Sequence, residues 1–257
     1  MKDCRETWYD AERKVSVTIA DVTTAAQQLV RGHLSGPVAA RYLSRGLAAA
    51  ALLGAEVSEK DETVIIQLKC SGPLGGYAVE CTSEGTLRGY TEKKIFDDYD
   101  GLDPSDEEIL GTTQYQVTRS IPGKILSQGI AATLDDYLSD SLQRRAIIRV
   151  EAEVTDACEV LFARGILIEE LPDAGDTGVL TTRFKSLAAS PRTLLKAAGL
   201  SAAERKETKA LSFACRCSPD RAIAMLSALS DEEKASLPDT IDITCHMCGR
   251  MFSVKIR

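Results

Sequence analysis

Four of the eight cysteines in this sequence lie near its end, in two close pairs. The first pair is Cys215-Arg-Cys217, and the second is Cys245-His-Met-Cys248, which is followed by Gly249. Tetrahedral zinc binds four thiolates, and a C-x-x-C turn places two of them on the same side of one ion. In an extended segment residues i and i+2 point the same way, so Cys215 and Cys217 can also converge. We therefore predict one zinc ion with Cys215, Cys217, Cys245 and Cys248 as its ligands.

A role for these four cysteines in a core or in permanent disulfides is less favoured. Free cysteine is often a small core residue, but core cysteines need no paired spacing. A cytosolic chain rarely keeps a permanent disulfide. A bond between Cys215 and Cys217 would close a very small ring, so it should be strained and easily reduced, which suits a switch. His246 lies inside the C-x-x-C turn and is expected to point outward rather than to replace a cysteine.

The residues around the two pairs predict a small module of two helices and two strands. Ser218 and Pro219 suit an N-cap and a first helical position, and apolar residues follow at helical spacing: Ile223, Met225, Leu226 and Leu229. Ser230 and Glu233 predict a capping box for a second helix. Ranges 241–245 and 251–256 predict strands. The module is too short to build a good core alone, so metal binding should supply much of its stability, on the order of 10 kcal/mol.

Length and composition predict one sizeable globular domain plus this small module. The 257 residues are 44% hydrophobic and 27% charged, and the net charge of −7 gives no support for nucleic-acid binding. The sequence begins without an apolar stretch, and its longest apolar run is far too short to span a membrane. We expect a soluble, cytoplasmic protein with reduced thiols and with no membrane or nucleic-acid partner.

The sequence contains no motif for nucleotide use or for a familiar enzyme reaction. It lacks G-x-x-x-x-G-K-[ST], G-x-G-x-x-G, H-E-x-x-H and G-x-S-x-G, and its only histidines are His33 and His246. His33, at a predicted helix end, is expected to be structural. The remaining cysteines have no paired spacing and are expected to be passive: Cys4, Cys70, Cys81 and Cys158. We therefore expect a protein that is not an enzyme and binds no nucleotide.

The pattern over residues 1–174 predicts an α+β core domain, a mixed β-sheet with packed helices. The first residues are polar and predict no element. Alternation predicts a strand over 15–20, and helical spacing predicts helices over 23–33 and 37–56, the second alanine-rich and buried. Five further strands are predicted over 62–70, 75–81, 85–90, 113–120 and 124–129. A helix is predicted over 134–142, and β and mixed structure over 145–155 and 160–171 completes the domain.

Residues 175–211 predict a helical linker between the core domain and the zinc module, residues 212–257. Short helices are expected around 179–189 and 191–198. Many of the residues are alanines, and small side chains bury little area, so docking of the linker is expected to be weak.

The two cysteine motifs, in their sequence context, resemble the zinc-binding end of the heat-shock protein 33 family of bacterial redox-regulated chaperones. The matching segments are Phe213-Ala-Cys-Arg-Cys-Ser-Pro-Asp-Arg221 and Cys245-His-Met-Cys-Gly-Arg250. A C-x-C pair followed by C-x-x-C at this separation is uncommon among zinc modules. Segments of the first domain resemble that family's core as well: His33-Leu-Ser-Gly-Pro-Val-Ala-Ala40, Gly72-Pro-Leu74, Val79-Glu80, Arg88-Gly-Tyr90 and Glu170-Leu-Pro-Asp-Ala174.

This resemblance implies an ATP-independent holdase that prevents the aggregation of unfolded proteins under oxidative stress. The reduced, zinc-bound form would be inactive, and oxidation of the four cysteines would release zinc, unfold the linker and uncover a client-binding surface. The family pairs neighbouring cysteines, which implies disulfides Cys215–Cys217 and Cys245–Cys248 here, whereas the residues alone allow three pairings. The implied partners are unfolded client proteins and, on activation, a second copy in a homodimer.

Two rival functions stay open on the residues alone. A constitutive zinc-module adaptor would hold zinc that resists peroxide. A thiol-disulfide oxidoreductase would turn over small disulfides.

Overall fold

In the computed structural model, which describes residues 2–227 and 229–255, the strands form two large sheets and a separate hairpin. In chain order the strands are β1 (Cys4–Asp10), β2 (Val15–Asp21), β3 (Thr63–Cys70), β4 (Gly76–Thr82), β5 (Thr86–Thr91), β6 (Thr113–Ile121), β7 (Lys124–Ala131), β8 (Arg145–Val154), β9 (Val160–Glu170), β10 (Glu204–Ala210), β11 (Ser212–Phe213), β12 (Thr240–Thr244) and β13 (Met251–Lys255). The first sheet has the order β10-β1-β2-β9-β8, and the second has the order β11-β5-β4-β3-β6-β7. Neighbouring strands are antiparallel, except that β11 runs parallel to β5.

The helices connect and cover these sheets. They are α1 (Thr23–His33), α2 (Pro37–Leu53), α3 (Asp106–Leu110), α4 (Leu134–Asp136), α5 (Pro191–Ala197), α6 (Pro219–Ser227) and α7 (Asp231–Ser236). A 3-10 turn, Gly54–Glu56, follows α2, and a π-helical turn, Tyr137–Ser141, follows α4. Within the described ranges, no helix is long and apolar enough to cross a membrane.

The alanine-rich helix α2 lies between the two large sheets. Pro37 occupies its first turn, where the missing N–H costs no hydrogen bond. The helix contacts β8 and β9 on one side and β4 and β5 on the other. A Cβ at Gly46 would stand 3.0 Å from the Tyr77 ring, so glycine at this position lets the helix pack closely on β4. The buried core helix predicted from the sequence is confirmed, and so is the α+β fold.

Strands β1 and β10 were not predicted, and they pair with each other at one edge of the first sheet. Both sequences, CRETWYD and ERKETKA, lack an alternating apolar pattern. Their pairing joins residues that are far apart in the chain; Arg205, for example, forms an ion pair with Glu6 at 2.7 Å. Residues 204–210, which belong to the predicted linker, therefore complete the sheet of the core.

The rest of the predicted linker packs on the outer face of the first sheet. Of the two predicted short helices, Pro191–Ala197 is confirmed, but over 179–189 only the 3-10 turn Val179–Thr181 forms. A second apolar cluster holds linker and sheet together; its buried members are Trp8, Val15, Val17, Ile19, Ile147, Ile166 and Ile168 with Val179, Leu187, Leu194, Leu195, Ala198, Leu200 and Ala203. Arg192 and Arg205 lie over the Trp8 ring, 4.6 and 5.8 Å from its centroid. The leucines of the linker are therefore buried, whereas the weak docking expected from its many small side chains stays a prediction.

The C-terminal residues fold largely as predicted. Ser230 and Glu233 form the expected capping box, in which the Ser230 hydroxyl accepts from the Glu233 amide and the Glu233 carboxylate accepts from the Ser230 amide. Strands β12 and β13 form an antiparallel hairpin around the second cysteine pair. The end of the predicted strand at residue 256 lies outside the described residues.

Candidate metal centre

The four cysteines of the two motifs meet in one cluster. The Sγ atoms of Cys215, Cys217, Cys245 and Cys248 all lie within 4.8 Å of one another. The Cys215 and Cys245 sulfurs are 3.8 Å apart, and the Cys217 and Cys248 sulfurs are 3.5 Å apart. Zn–S bonds of about 2.3 Å in a tetrahedron place the sulfurs about 3.8 Å from each other. The donor set and its spacing therefore fit a four-thiolate zinc site.

Backbone pairing positions the first cysteine pair. The short strand β11 pairs with β5, and the Ala214 amide donates to the Leu87 carbonyl at 3.2 Å. Because of this pairing, the backbone that leads into Cys215 and Cys217 continues the edge of the core sheet. The C-x-C pair thus begins where the edge of the second sheet ends.

A tight turn between β12 and β13 positions the second pair. The Cys245 carbonyl accepts hydrogen bonds from the Cys248 and Gly249 amides at 3.3 and 2.9 Å, and the Cys245 amide donates to the Arg250 carbonyl at 2.8 Å. Gly249 has φ +73°, in the left-handed region that favours glycine. The turn predicted from C-x-x-C-G is therefore the one that forms.

The turn rests directly on the end of helix α1. A Cβ on Gly249 would overlap the Gly32 carbonyl oxygen, and one on Gly32 would lie 2.6 Å from the Cys248 carbonyl oxygen. The Gly89 amide of β5 donates to the Met247 carbonyl at 3.2 Å. Two glycines thus allow the backbone of the cysteine turn to touch the backbone of the core.

The two histidines have structural roles near this contact. Buried His33 bonds through Nε2 to the Gly89 carbonyl at 2.8 Å, and burial is the main cause that lowers its pKa. His246 is exposed and places its ring against Tyr90, with 3.8 Å between the ring centroids. Among the described residues, the metal-ligating cluster does not include His246, which agrees with its predicted outward position.

Charged residues from the core reach the cluster from β4 and β5. Arg88 places Nη1 3.9 Å from the Cys215 sulfur and donates through Nη2 to Glu80 at 2.7 Å. Arg216, between the first two cysteines, donates to the other Glu80 oxygen at 2.6 Å. Neither Glu80 nor Arg88 was predicted from the sequence as a site residue; the available signal was a carboxylate in the middle of an apolar strand.

The surroundings shift the pKa of the Cys215 thiol in one direction and those of Cys217 and Cys248 in the other. Burial opposes ionisation of Cys215, but bonds from the Cys217 amide and Arg88 lower the pKa of the Cys215 thiol to about 7. Burial raises the pKa of the Cys217 and Cys248 thiols, and the Cys215 sulfur beside them acts in the same direction. Like charges this close repel one another, so all four thiols ionise together only with a cation among them.

The other four cysteines lie outside the cluster. Cys81 is fully buried, and burial raises the pKa of its thiol to about 11. Burial also raises the pKa of the Cys4, Cys70 and Cys158 thiols. A raised pKa keeps a thiol protonated and slow to react, which supports the passive role expected for all four.

Comparisons with known proteins concern the whole chain and its fold. A family model described as Hsp33 protein matches residues 7–255. A 33 kDa chaperonin from Cyanothece sp. is 29% identical, over 96% of this chain and 90% of its own length. Another 33 kDa chaperonin, from Symbiobacterium thermophilum, is 27% identical over 91% of this chain and 88% of its own. The crystal structure of a 33 kDa chaperonin (heat shock protein 33 homolog) from Thermotoga maritima has the same fold, with a TM-score of 0.86 at 17% identity, covering 100% of this chain and 96% of that one.

Proposed function

Because this chain belongs to the Hsp33 family of chaperones, we propose that it is a redox-regulated holdase that binds unfolded proteins without ATP. Its reduced, zinc-bound form is inactive, and oxidation of four cysteines activates it. The observation that carries the proposal is the clustering of four thiols at the junction between the C-terminal module and the core. The proposed units are the core over 1–174, the linker over 175–211 and the switch module over 212–257.

The metal ligands in this proposal are Cys215, Cys217, Cys245 and Cys248. Bound zinc would hold all four as thiolates and supply much of the module's folding free energy, on the order of 10 kcal/mol. The thiolate is also the form of cysteine that oxidants attack. The module therefore depends for its fold on the same four sulfurs that an oxidant consumes.

Oxidation converts the four donors into two disulfides. Each disulfide forms from two thiolates with loss of two electrons; one peroxide accepts them and, with two protons, becomes two waters. By family resemblance the pairs are Cys215–Cys217 and Cys245–Cys248. A disulfide sulfur is a poor zinc ligand, so both pairs lose the metal and the module loses its main source of stability.

Loss of the module is expected to loosen the linker because the two are continuous. The Leu211 amide donates to the Asp3 carbonyl at 3.0 Å, and the Ser212 amide donates to the Gly85 carbonyl at 3.1 Å, just before the first cysteine pair. Unfolding that spreads backward along the chain would detach β10 and then the apolar residues of the linker. The sheet face around Trp8 and Ile168 would then be open to clients.

One experiment tests this proposal. The reduced, zinc-loaded protein is treated with hydrogen peroxide under mild warming, and zinc release is followed together with suppression of a model client's aggregation. We expect both to appear together and to reverse with reductant. The Cys158→Ser variant, altered outside the cluster, is expected to switch as the unaltered protein does.

The opposite outcomes identify the rival functions. Zinc that stays bound under peroxide would indicate a constitutive zinc-module adaptor. Turnover of small disulfides would indicate a thiol-disulfide oxidoreductase. Activation is also expected to produce a homodimer, which analytical ultracentrifugation of the oxidised protein would detect, and the setting we propose is the reducing cytoplasm.

A further inference from the structure

The buried carboxylate of Glu80 joins the core to the C-terminal module. Glu80 lies on β4 and is only 3% exposed. Its Oε1 accepts from Arg216 of the module at 2.6 Å, and its Oε2 accepts from Arg88 of β5 at 2.7 Å. Because Arg88 also lies 3.9 Å from the Cys215 sulfur, one chain of polar contacts runs from the core sheet to a proposed metal ligand.

The two arginines bind Glu80 from different parts of the fold. Glu80 and Arg88 are register partners across β4 and β5, so their contact is internal to the second sheet. Arg216 stands between two cysteines of the metal cluster, and its side chain is about half exposed, at 51%. The Arg216 contact can therefore break when the module moves, while the Arg88 contact stays.

Two arginine partners keep the buried Glu80 carboxylate paired whether or not the module is docked. A buried carboxylate that loses its only partner is strongly destabilising. Glu80 keeps Arg88 when Arg216 leaves, so the core does not depend on the module for its own charge balance. When the module is docked, two guanidinium groups share one carboxylate, and the surplus positive charge lies beside the sulfur cluster, where it favours thiolates.

We propose that Glu80 is a positioning residue that holds the reduced module on the core through Arg216, and that breaking this contact makes the thiol cluster easier to oxidise. The inference rests on the proposed redox function for its consequence but not for its geometry. Glu80 does not bind the metal in this proposal. It limits how often the module separates from β5 and the end of α1, and so how often an oxidant reaches the sulfurs.

The decisive variant is Arg216→Gln, which removes the module's side of the contact and leaves the Glu80–Arg88 pair in place. Arg221→Gln is the matched control, since it removes an exposed arginine from α6 of the same module. Both variants are expected to bind one zinc ion per chain under reducing conditions. We expect Arg216→Gln to release zinc about tenfold faster than the unaltered protein at equal peroxide, equivalent to about 1.4 kcal/mol.

Hydrogen exchange of the reduced, zinc-loaded protein gives a second readout that needs no oxidation. The Gly89 amide bonds to the Met247 carbonyl across the docking contact, so its exchange should be faster in Arg216→Gln and unchanged in Arg221→Gln. Arg216→Gln should change zinc release little in a Glu80→Gln background, because the carboxylate that Arg216 contacts is already lost there.

Unchanged Gly89 exchange in Arg216→Gln would overturn the proposal, as would equal effects of the two arginine variants. If the unaltered protein keeps its zinc under peroxide, the proposed redox function fails, and the exchange experiment still decides the role of Glu80. If the double variant does not fold, the comparison of Arg216→Gln with Arg221→Gln is sufficient.

Discussion

Replacing Leu200 by alanine should loosen the linker without touching the metal centre. Leu200 is fully buried in the second apolar cluster, between α5 and β10. Its amide donates to the Leu195 carbonyl at 2.8 Å, and its carbonyl accepts from the Ala203 amide at 3.1 Å. Leu200 therefore lies, with its side chain buried, where the linker passes from helix α5 to the edge strand β10.

The size of the effect follows from burial. Leu→Ala at a fully buried site costs about 2–5 kcal/mol, depending on how far the surroundings collapse. If the linker opens as a unit, the substitution destabilises the docked linker relative to the open linker by this amount. Each 1.4 kcal/mol changes the equilibrium constant between the two about tenfold. The open population should rise at least about 30-fold.

Two measurements on the reduced, zinc-loaded variant test this. Amides of β10 should exchange faster by at least that factor, and fluorescence of Trp8, the only tryptophan in the sequence, should report loss of the linker from its ring. Suppression of client aggregation should appear without oxidant. Leu102→Ala is the control, because Leu102 is 68% exposed and the same truncation there should change little.

The reasoning would be refuted if β10 kept the exchange rates of the unaltered protein in Leu200→Ala. It would also be refuted if the linker opened fully under reducing conditions and no client were held. The first result would mean that the linker and core open only together, and the second that the surface beneath the linker does not bind clients.

Two further predictions concern the docking site and the metal. Burial lowers the pKa of His33 in the folded protein. As the pH falls, the unfolded state therefore binds a proton at this histidine before the folded state does. The stability that neutral His33 contributes is present above about pH 6.5 and is lost as the pH falls through the folded pKa. Denaturant unfolding should therefore show the unaltered protein losing stability relative to His33→Gln below about pH 6.5, and parallel curves would count against this. Chelation of zinc under reducing conditions should remove exchange protection from β12 and β13 but leave β3 and β4 protected, because the core is buried independently of the module; equal loss in both would contradict this division.

Elements with strong local signals could be predicted from the sequence. The alanine-rich helix after Pro37 and the glycine-bounded strands of the second sheet formed within a few residues of the predicted bounds. The capping box of Ser230 and Glu233 formed as expected. Each of these depends on contacts between residues close in the chain, which a sequence pattern displays directly.

The predicted helix over 179–189 failed for a tertiary reason. The Ser186 hydroxyl and the Leu187 amide donate to the Glu151 carboxylate of β8. Arg164 of β9 donates to the Ala188 carbonyl at 2.6 Å. Side chains of the first sheet thus satisfy backbone groups that would otherwise bond within a helix, and the extended backbone lets Leu187 reach the apolar cluster.

By itself the sequence determined the donor set of the candidate site, since the C-x-C and C-x-x-C spacings bring sulfurs together through local backbone geometry. Only the tertiary structure decided what surrounds them. Arg88 lies beside Cys215, and Glu80 binds Arg216, because strands β4 and β5 pair in a particular register. Gly32 contacts Gly249 because helix α1 ends against the cysteine turn. Residues 204–210 form strand β10 because their backbone pairs with strand β1, which is distant in the chain. Local spacing depends on a few consecutive dihedral angles, whereas these contacts depend on how distant parts of the chain pack together.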